Sequence, residues 1–489
     1  MAGELIAVID AGTSSVRAIA FDGAGRQVAL ARRDLAQHYP QSGWVEQDPR
    51  DIRDYAVAVL AEVVSQAGGA GRFAALGLTN QRETLVAWDR NTREPLARAI
   101  VWQDRRTADA CAALREAGHE ELVQSKTGLV LDPYFSATKM RWLLDNEPAV
   151  AGAASAGRLV LGTVDAWLIA CLTGELAIEA GNASRTSLYA LDSGAWDEGL
   201  CDLFGVPRQA LPPVVDSAGQ VGVTDAATCG MAFPLTGIAG DQQAATIGQG
   251  CLSPGRVKAT YGTGAFALAY AGEAPPTSRH RLLATELLRI GSRRSFALEG
   301  AVFTAGSLIR WMRDSLGVID GAPETEAMAT SVADSGGVVI VPALSGLGAP
   351  HWDPDARAAF VGMSHATTRD HLARAALEAM AHQTQDLAEA FAADGASWEL
   401  LRIDGGMSRN DWMAQDLADI LSVPVERPDN VETTALGAAM LAGLGAGAFA
   451  TLDEAAREMR GASRRFEPDM AHARRDARLD AWRTALSKV

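Results

Sequence analysis

Residues 237–264 constrain what this 489-residue chain can fold into more than any other stretch. Gly237-Ile-Ala-Gly-Asp241-Gln242-Gln243 sets a carboxylate after a short apolar run, as at a strand end where backbone is close and water partly excluded. That is a place for a base. Thr260-Tyr-Gly-Thr263-Gly264 then stands between two strand-like runs, 256–260 and 265–270. Small residues in such a turn let backbone N–H groups and a hydroxyl face an anion. The chain begins with the same layout. Runs 5–10, 16–22 and 28–32 are rich in β-formers and are separated by Gly12-Thr13-Ser14-Ser15 and Gly23-Ala-Gly25, which reads as an antiparallel meander. Two hairpin turns, one per half and each beside an acidic strand residue, Asp10 or Asp241, have the means to clamp Mg2+ and a triphosphate between two lobes. Residue identities differ between the halves, so the shared layout is a hypothesis of internal duplication.

Between and beyond these turns, strands and helices alternate. Ile52, Tyr55, Val59, Leu60 and Val63 give 49–67 a helical period, and 73–78 returns to a strand. Thr79-Asn-Gln81-Arg82-Glu83 closes that strand with polar side chains, where an α/β sheet keeps its ligand crevice. Ile100-Val-Trp102-Gln-Asp104 ends another strand, Asp132-Pro-Tyr134-Phe135 is an aromatic loop, and 159–162 with the following Thr163-Val-Asp165 reads as a strand leading into a capped helix. In the second half, 296–302 and 338–342 read as strands and 305–316 as a helix. A long helix spans 370–391, with Leu372, Ala376, Met380, Leu387 and Phe391 on one face. Leu401-Arg-Ile-Asp404-Gly405-Gly406-Met407-Ser408-Arg409-Asn410 is strand, double-Gly turn and helix start, a geometry that leaves N–H donors for a phosphate or a purine edge. The Ala/Gly-dominated run 435–450 falls short of the ~18 apolar residues of a membrane span and reads as a buried, tightly packed helix. The charged C-terminal stretch reads as a surface helix.

Composition removes several classes. A net charge of −16 leaves no basic surface for nucleic acid. The cysteines, Cys111, Cys171, Cys201, Cys229 and Cys251, form no C-x-x-C pair and read as reduced core residues. The start lacks the basic region of a signal peptide, so the expected compartment is the cytoplasm. No Gly-Lys dipeptide occurs, which removes the Walker P-loop, and the dinucleotide pattern appears only inside the apolar run, at Gly443-Leu-Gly445-Ala-Gly-Ala448.

More specific segments recur along nearly the whole chain. They are Asp10-Ala-Gly-Thr-Ser-Ser, Gly43-Trp-Val-Glu46, Thr79-Asn-Gln-Arg-Glu-Thr84, Thr127-Gly-Leu-Val-Leu-Asp-Pro-Tyr-Phe135, Asn182-Ala-Ser-Arg-Thr186, Gly237-Ile-Ala-Gly-Asp-Gln-Gln243, Leu298-Glu-Gly-Ala-Val-Phe303, Gly346-Leu-Gly-Ala-Pro350 and Thr434-Ala-Leu-Gly-Ala-Ala439. In these the sequence resembles the FGGY carbohydrate kinases. The resemblance implies an α/β fold of two actin-like, ribonuclease-H-like domains, 1–245 for the polyol and the first phosphate turn and 246–489 for the nucleotide, with the ligands in the cleft. It implies ATP-dependent phosphorylation of glycerol in a cytoplasmic homo-oligomer, with no nucleic acid and no membrane insertion. By the same resemblance Arg82, Glu83, Trp102, Tyr134, Asp241, Gln242 and Phe266 line the polyol pocket, with Asp241 as catalytic base. Thr13, Ser14, Ser15, Arg17, Thr263, Gly306, Gly406, Met407 and Asn410 surround ATP, and Asp10 lies near magnesium. Ala11, Met407 and His351 depart from the family pattern, where Gln, a small residue and Tyr are usual; His351 reads as a packing residue. Two alternatives stay open: a kinase for another small polyol or ketose, such as erythritol or xylulose, and a catalytically silent sensor on the same fold. The carboxylates Asp10 and Asp241 count against the sensor.

Overall fold

The structure is a computed structural model that describes residues 4–353 and 355–489. Strand β1 (Leu5–Ala11) is buried along its whole length: Leu5, Ala7 and Ile9 enter one core while Ile6 and Val8 enter another. A strand covered on both faces reads as a continuous apolar run, as β1 does. It pairs antiparallel with β2 (Ser15–Asp22), which pairs antiparallel with β3 (Gln27–Asp34), so the meander forms as expected. Helix α1 (Pro49–Gln66), capped by Asp48, lays Ile52, Val59, Leu60 and Val63 into the first of those cores. On the other side of β1 come two parallel strands, β4 (Phe73–Asn80) and β6 (Pro234–Gly240), and then β5 (Ala218–Val223) antiparallel to β6. The order is β5-β6-β4-β1-β2-β3. A small four-stranded sheet, Glu46–Gln47, Ala99–Ile100, Leu85–Asp89 and Leu159–Thr163, adjoins it.

Helix α2 (Asp241–Gly248) follows β6 directly and leads to the second large sheet. Its strands are β7 (Arg256–Tyr261), β8 (Ala265–Gly272), β9 (Leu283–Ile290), β10 (Arg293–Val302), β11 (Leu400–Asp404), β12 (Val425–Pro428) and β13 (Ser463–Phe466), in the order β9-β10-β8-β7-β11-β12-β13. The duplication is topological. In β3-β2-β1-β4-β6 and in β10-β8-β7-β11-β12, three antiparallel strands are followed by two parallel ones, and each sheet ends beyond them in one further antiparallel strand. Strand β9 is the addition on the second sheet, and its mixed sequence gave no sign of it. The remaining helices that matter are α3 (Gly306–Asp314), α4 (Arg369–Ala393), α5 (Asp411–Leu421), α6 (Thr433–Gly445) and α7 (His472–Leu486).

Helix α6 explains its own composition. It comes from the second half of the chain but lies between α2 and the first sheet, in the core that holds Ile6, Val8 and Ala239. A Cβ on Gly437 would sit 1.8 Å from the Ala244 carbonyl oxygen of α2, and one on Gly237 of β6 would sit 2.2 Å from the Ala442 nitrogen. Backbone touches backbone here, so side chains are excluded and Ala and Gly remain. Three expectations need correction. Helix α4 is buried on more than one face, with Glu378, His382 and Gln383 inside as well as the apolar row. The Thr163 hydroxyl donates to the Asp165 carboxylate at 2.5 Å and does not cap the helix backbone. Helix α7 buries Leu479, Trp482 and Ala485 and is anchored by Arg478 to Asp416, so it is more than a surface element. All five cysteines are free and buried, and among the described residues no helix is long and apolar enough to cross a membrane.

Candidate active site

The register of the first sheet assembles the site. Asp10 of β1 stands opposite Thr79 of β4, and Ala239 of β6 stands opposite Thr79 on the other side. The carboxyl ends of three parallel strands therefore bring Asp10, the 80–84 loop and Asp241 into one crevice, the place where open α/β sheets hold ligands. Asp241 is the first residue of α2; its Oδ1 accepts the Gln242 N–H at 2.7 Å and lies 3.4 Å from Arg82 Nε. The side chain keeps 32% of its surface exposed. Burial raises its pKa from 3.8 to about 6, with Arg82 opposing the shift and Glu83 adding to it.

Arg82 and Glu83 are held from behind by two residues that the sequence did not single out as site residues. Glu299 of β10 takes Arg82 in a two-pronged pair, Nη1 to Oε2 at 2.6 Å and Nη2 to Oε1 at 2.9 Å, and also accepts Arg185 Nη2 at 3.1 Å. Arg185 Nε closes the ring on Glu83 Oε1 at 2.6 Å. All four side chains are at most 2% exposed. Burial works against the charge of Glu299, but Arg185 and Arg82 outweigh it and hold the carboxyl down to about 2. The sequence places the Arg82 guanidinium toward substrate; the structure turns its terminal nitrogens onto Glu299 and leaves the Nε edge toward Asp241 and Glu83. Glu83 is itself strained, with φ +60° and the Thr84 N–H bonded back to the Arg82 carbonyl at 2.7 Å. Such backbone persists where the surroundings over-determine it, and Arg185 on the side chain and Ser136 on the carbonyl do so here.

The aromatic walls meet. Trp102 packs edge-to-face on Tyr134, with centroids 5.6 Å apart, and on Phe266 of β8 at 6.4 Å. Fully buried Lys139 donates from Nζ to the carbonyls of Val101, Trp102 and Tyr134 at 3.0, 3.2 and 3.4 Å. It ties two walls together, and burial lowers its pKa to about 8. The Trp102 indole N–H donates to Thr13 Oγ1 at 3.0 Å, which joins the aromatic pocket to the first Gly-containing turn.

That turn presents exposed Ser14 and half-buried Thr13, while Ser15 is buried. Arg17 pairs with Asp10 and, at 2.7 Å, with Glu432 in front of α6. The turn of the second half leaves Gly262 and Thr263 exposed. Its carbonyls are gathered by the start of α3: Ala305 and Ser307 N–H groups bond Thr263 O at 2.9 and 3.0 Å, and Gly306 N–H bonds Gly262 O at 2.9 Å. A Cβ on Gly306 would meet Met407 Cγ at 3.3 Å, so Thr263, Gly306 and Met407 are neighbours, with Gly406 exposed beside them. Asn410 is engaged with the fold: its Oδ1 caps α5 through Met413 N–H at 2.9 Å, and Nδ2 donates to Thr325 at 3.2 Å. His351 bonds Asp386 at 3.0 Å, the carboxylate that also receives the Trp482 indole, and so packs α7. Ala11 is buried at the end of β1.

Two lobes of one topology, a carboxyl with a raised pKa at the ends of three parallel strands and one Gly-containing turn in each half fit a phosphotransferase of the actin-like class. Residues 5–248 match the N-terminal domain, and 257–446 the C-terminal domain, of the FGGY family of carbohydrate kinases. The chain belongs to that family. It is 50% identical over 487 residues to the glycerol kinase of Rhodospirillum centenum, covering 99% of this chain and 98% of that protein. It is likewise 50% identical over 485 residues to that of Alcanivorax borkumensis, covering 98% and 97%. The crystal structure of Plasmodium falciparum glycerol kinase with ADP superposes with a TM-score of 0.94 at 33% identity, covering 99% of this chain and 98% of that one. Glu299 did carry a signal in the sequence; Arg185 did not. Glu299 is a single charge inside the apolar run Phe296-Ala-Leu-Glu-Gly-Ala-Val302, and Lys258 interrupts β7 in the same way. A lone charge in a buried strand demands a partner.

Proposed function

We propose that this chain transfers the γ-phosphoryl group of ATP to a terminal hydroxyl of glycerol, giving sn-glycerol 3-phosphate and ADP. Asp241 carries the reading: a carboxyl at a strand end, partly exposed, raised to about 6 and flanked by Arg82, Glu83 and Gln242. As the hydroxyl oxygen bonds to phosphorus and the bond to the ADP oxygen breaks, Asp241 takes the hydroxyl proton. Phosphoryl transfer has a loose transition state, so aligning the oxygen counts as much as removing the proton. Arg82, Glu83, Asp241 and Gln242 hold the hydroxyls, and Trp102, Tyr134 and Phe266 cover the C–H side. A longer polyol displaces an aromatic ring or leaves polar groups unpaired, at about 1–3 kcal/mol for each group.

In this reading Thr13, Ser14, Ser15 and Arg17 meet the nucleotide from the first lobe, and Thr263, Gly306, Gly406, Met407 and Asn410 from the second, with domains at 1–245 and 246–489. Among the described residues no group of three or more His, Cys, Asp or Glu side chains is arranged to hold a metal. Mg2+ is commonly bound by one or two carboxylates together with substrate phosphates, and Asp10 beside the first turn fits that donor set. A bound Mg2+ supplies charge neutralisation at the β- and γ-phosphates. The enzyme acts in the cytoplasm as a homo-oligomer, which light scattering of the purified protein checks. The deciding assay compares glycerol, erythritol, xylitol and D-xylulose at equal ATP. Glycerol gives the highest kcat/KM; a tenfold advantage for a larger substrate would replace glycerol, and no turnover of any would favour the silent sensor. Asp241→Asn lowers kcat by about 10²–10⁴-fold with the fold intact.

A further inference from the structure

Lys258 lies on β7, fully buried, on the edge of the site but outside every role given so far. Its Nζ donates to Gln242 Oε1 at 2.5 Å, and among the described residues no carboxylate lies within 4 Å of it. Asp404, Asp241 and Glu299 face it at longer range, and burial lowers its pKa. An ammonium only donates, so the Gln242 atom that meets it must be the carbonyl oxygen. The ordinary ambiguity of a glutamine amide is thereby removed. The NH2 group points away from Lys258, and among the described residues it donates to no protein group. Next to it stands Asp241, which as a carboxylate only accepts.

We propose that Lys258 is a positioning residue that fixes Gln242 as a hydrogen-bond donor to the polyol, so that one hydroxyl oxygen receives the Gln242 N–H while its own proton goes to Asp241. This rests on the glycerol reading above. The pairing is directional: an acceptor and a donor side by side suit a hydroxyl, which has both a proton and lone pairs. A carbonyl at that position would leave Asp241 without a proton to take, so the pair also selects an alcohol over a ketone at the reacting carbon. Were Lys258 absent, the Gln242 amide could flip and present two acceptors to the same hydroxyl.

The test is steady-state kinetics of wild type, Lys258→Met, Gln242→Met and the double variant. Wild type must first turn over glycerol; if it does not, the functional reading fails and not this one. Lys258→Met is expected to raise the glycerol KM about tenfold, the scale of one lost hydrogen bond, with the ATP KM within about twofold. Because Lys258 acts through Gln242, adding Lys258→Met to Gln242→Met should change the glycerol KM little further. Multiplicative effects in the double variant, or an ATP KM that rises as much as the glycerol KM, would overturn the proposal. Removing a buried cation near three carboxylates also threatens folding, so Gln242→Glu supplies an independent arm. It keeps a partner for Lys258 but replaces the donor by an acceptor, and should raise the glycerol KM about tenfold or more at an undiminished thermal midpoint. An unchanged glycerol KM in Gln242→Glu overturns the donor assignment.

Discussion

Replacing Glu299 by Gln keeps size and shape and removes one charge from the ring behind the proposed polyol pocket. Two guanidiniums, Arg82 and Arg185, then keep one fully buried carboxylate, Glu83, with the partly exposed Asp241 3.4 Å from Arg82 Nε, and the new amide NH2 points at donors. The cost follows in two ways. Removing one partner of a buried ion pair typically costs about 3–5 kcal/mol, because the remaining charge is uncompensated. Independently, the carboxyl is held from 4.5 down to about 2, and at ~1.4 kcal/mol per pH unit this corresponds to about 3 kcal/mol. A depressed carboxyl stabilises fully above its unfolded value and loses that contribution as pH falls through its folded value. Urea denaturation at pH 7 should therefore show Glu299→Gln less stable by about 3 kcal/mol. The gap to wild type should close as pH falls from about 4.5 toward about 2. The glycerol kcat/KM should fall about 10–100-fold through misplacement of Arg82 and Glu83, with a smaller change in the ATP KM. A loss under ~1 kcal/mol that does not vary with pH, together with unchanged glycerol kinetics, would refute the argument that this ring holds the pocket.

In the proposed mechanism Asp241 works as the carboxylate, so kcat/KM for glycerol at saturating ATP should fall as pH drops through about 6, and Asp241→Asn should abolish that limb. The same carboxyl, raised above 3.8, costs stability while charged, a cost relieved as pH falls through about 6, so loss of activity there should not be accompanied by unfolding that Asp241→Asn prevents. Gly437→Val puts a Cβ 1.8 Å from the Ala244 carbonyl oxygen, forcing α6 and α2 apart at a cost of about 3 kcal/mol or more; a thermal midpoint equal to wild type would contradict the backbone contact.

The sequence exposed what local chemistry dictates. The β1–β3 meander, the turn-bearing strand pairs and helix α1 follow from period and punctuation, and Asp241 follows from a carboxylate placed after an apolar run. The pairing of β1, β4 and β6 was not legible, since β4 and β6 are separated by more than the length of a small domain and register is set by tertiary contacts. Strand β9 was hidden because Leu283-Ala-Thr-Glu-Leu-Leu-Arg-Ile290 carries no strict alternation and few β-branched residues. The ring was hidden for a different reason. Arg82, Glu83, Arg185 and Glu299 come from three distant segments, and only closure of the two halves makes their charges cancel. The lone Glu299 and Lys258 in apolar strands announced that partners were needed without saying which.

That closure leads to a last expectation. Glu299 of the second sheet holds Arg82 and Arg185 of the first half, Lys139 ties the Trp102 and Tyr134 walls, and Lys258 fixes Gln242. Every polar group assigned to the polyol is thus held by protein before any ligand arrives. The side proposed for the nucleotide differs: Ser14, Gly262, Thr263 and Gly406 stand exposed on turns. A preformed site demands little ordering on binding, whereas a site divided between exposed turns does. Glycerol should therefore bind the nucleotide-free enzyme, with a calorimetric Kd within about tenfold of its KM, and binding should not await ATP. Titration of glycerol into nucleotide-free protein decides this. Heat that appears only after a non-hydrolysable ATP analogue is added would mean that nucleotide assembles the polyol pocket, and that the buried ring and the two lysines do not suffice to hold it.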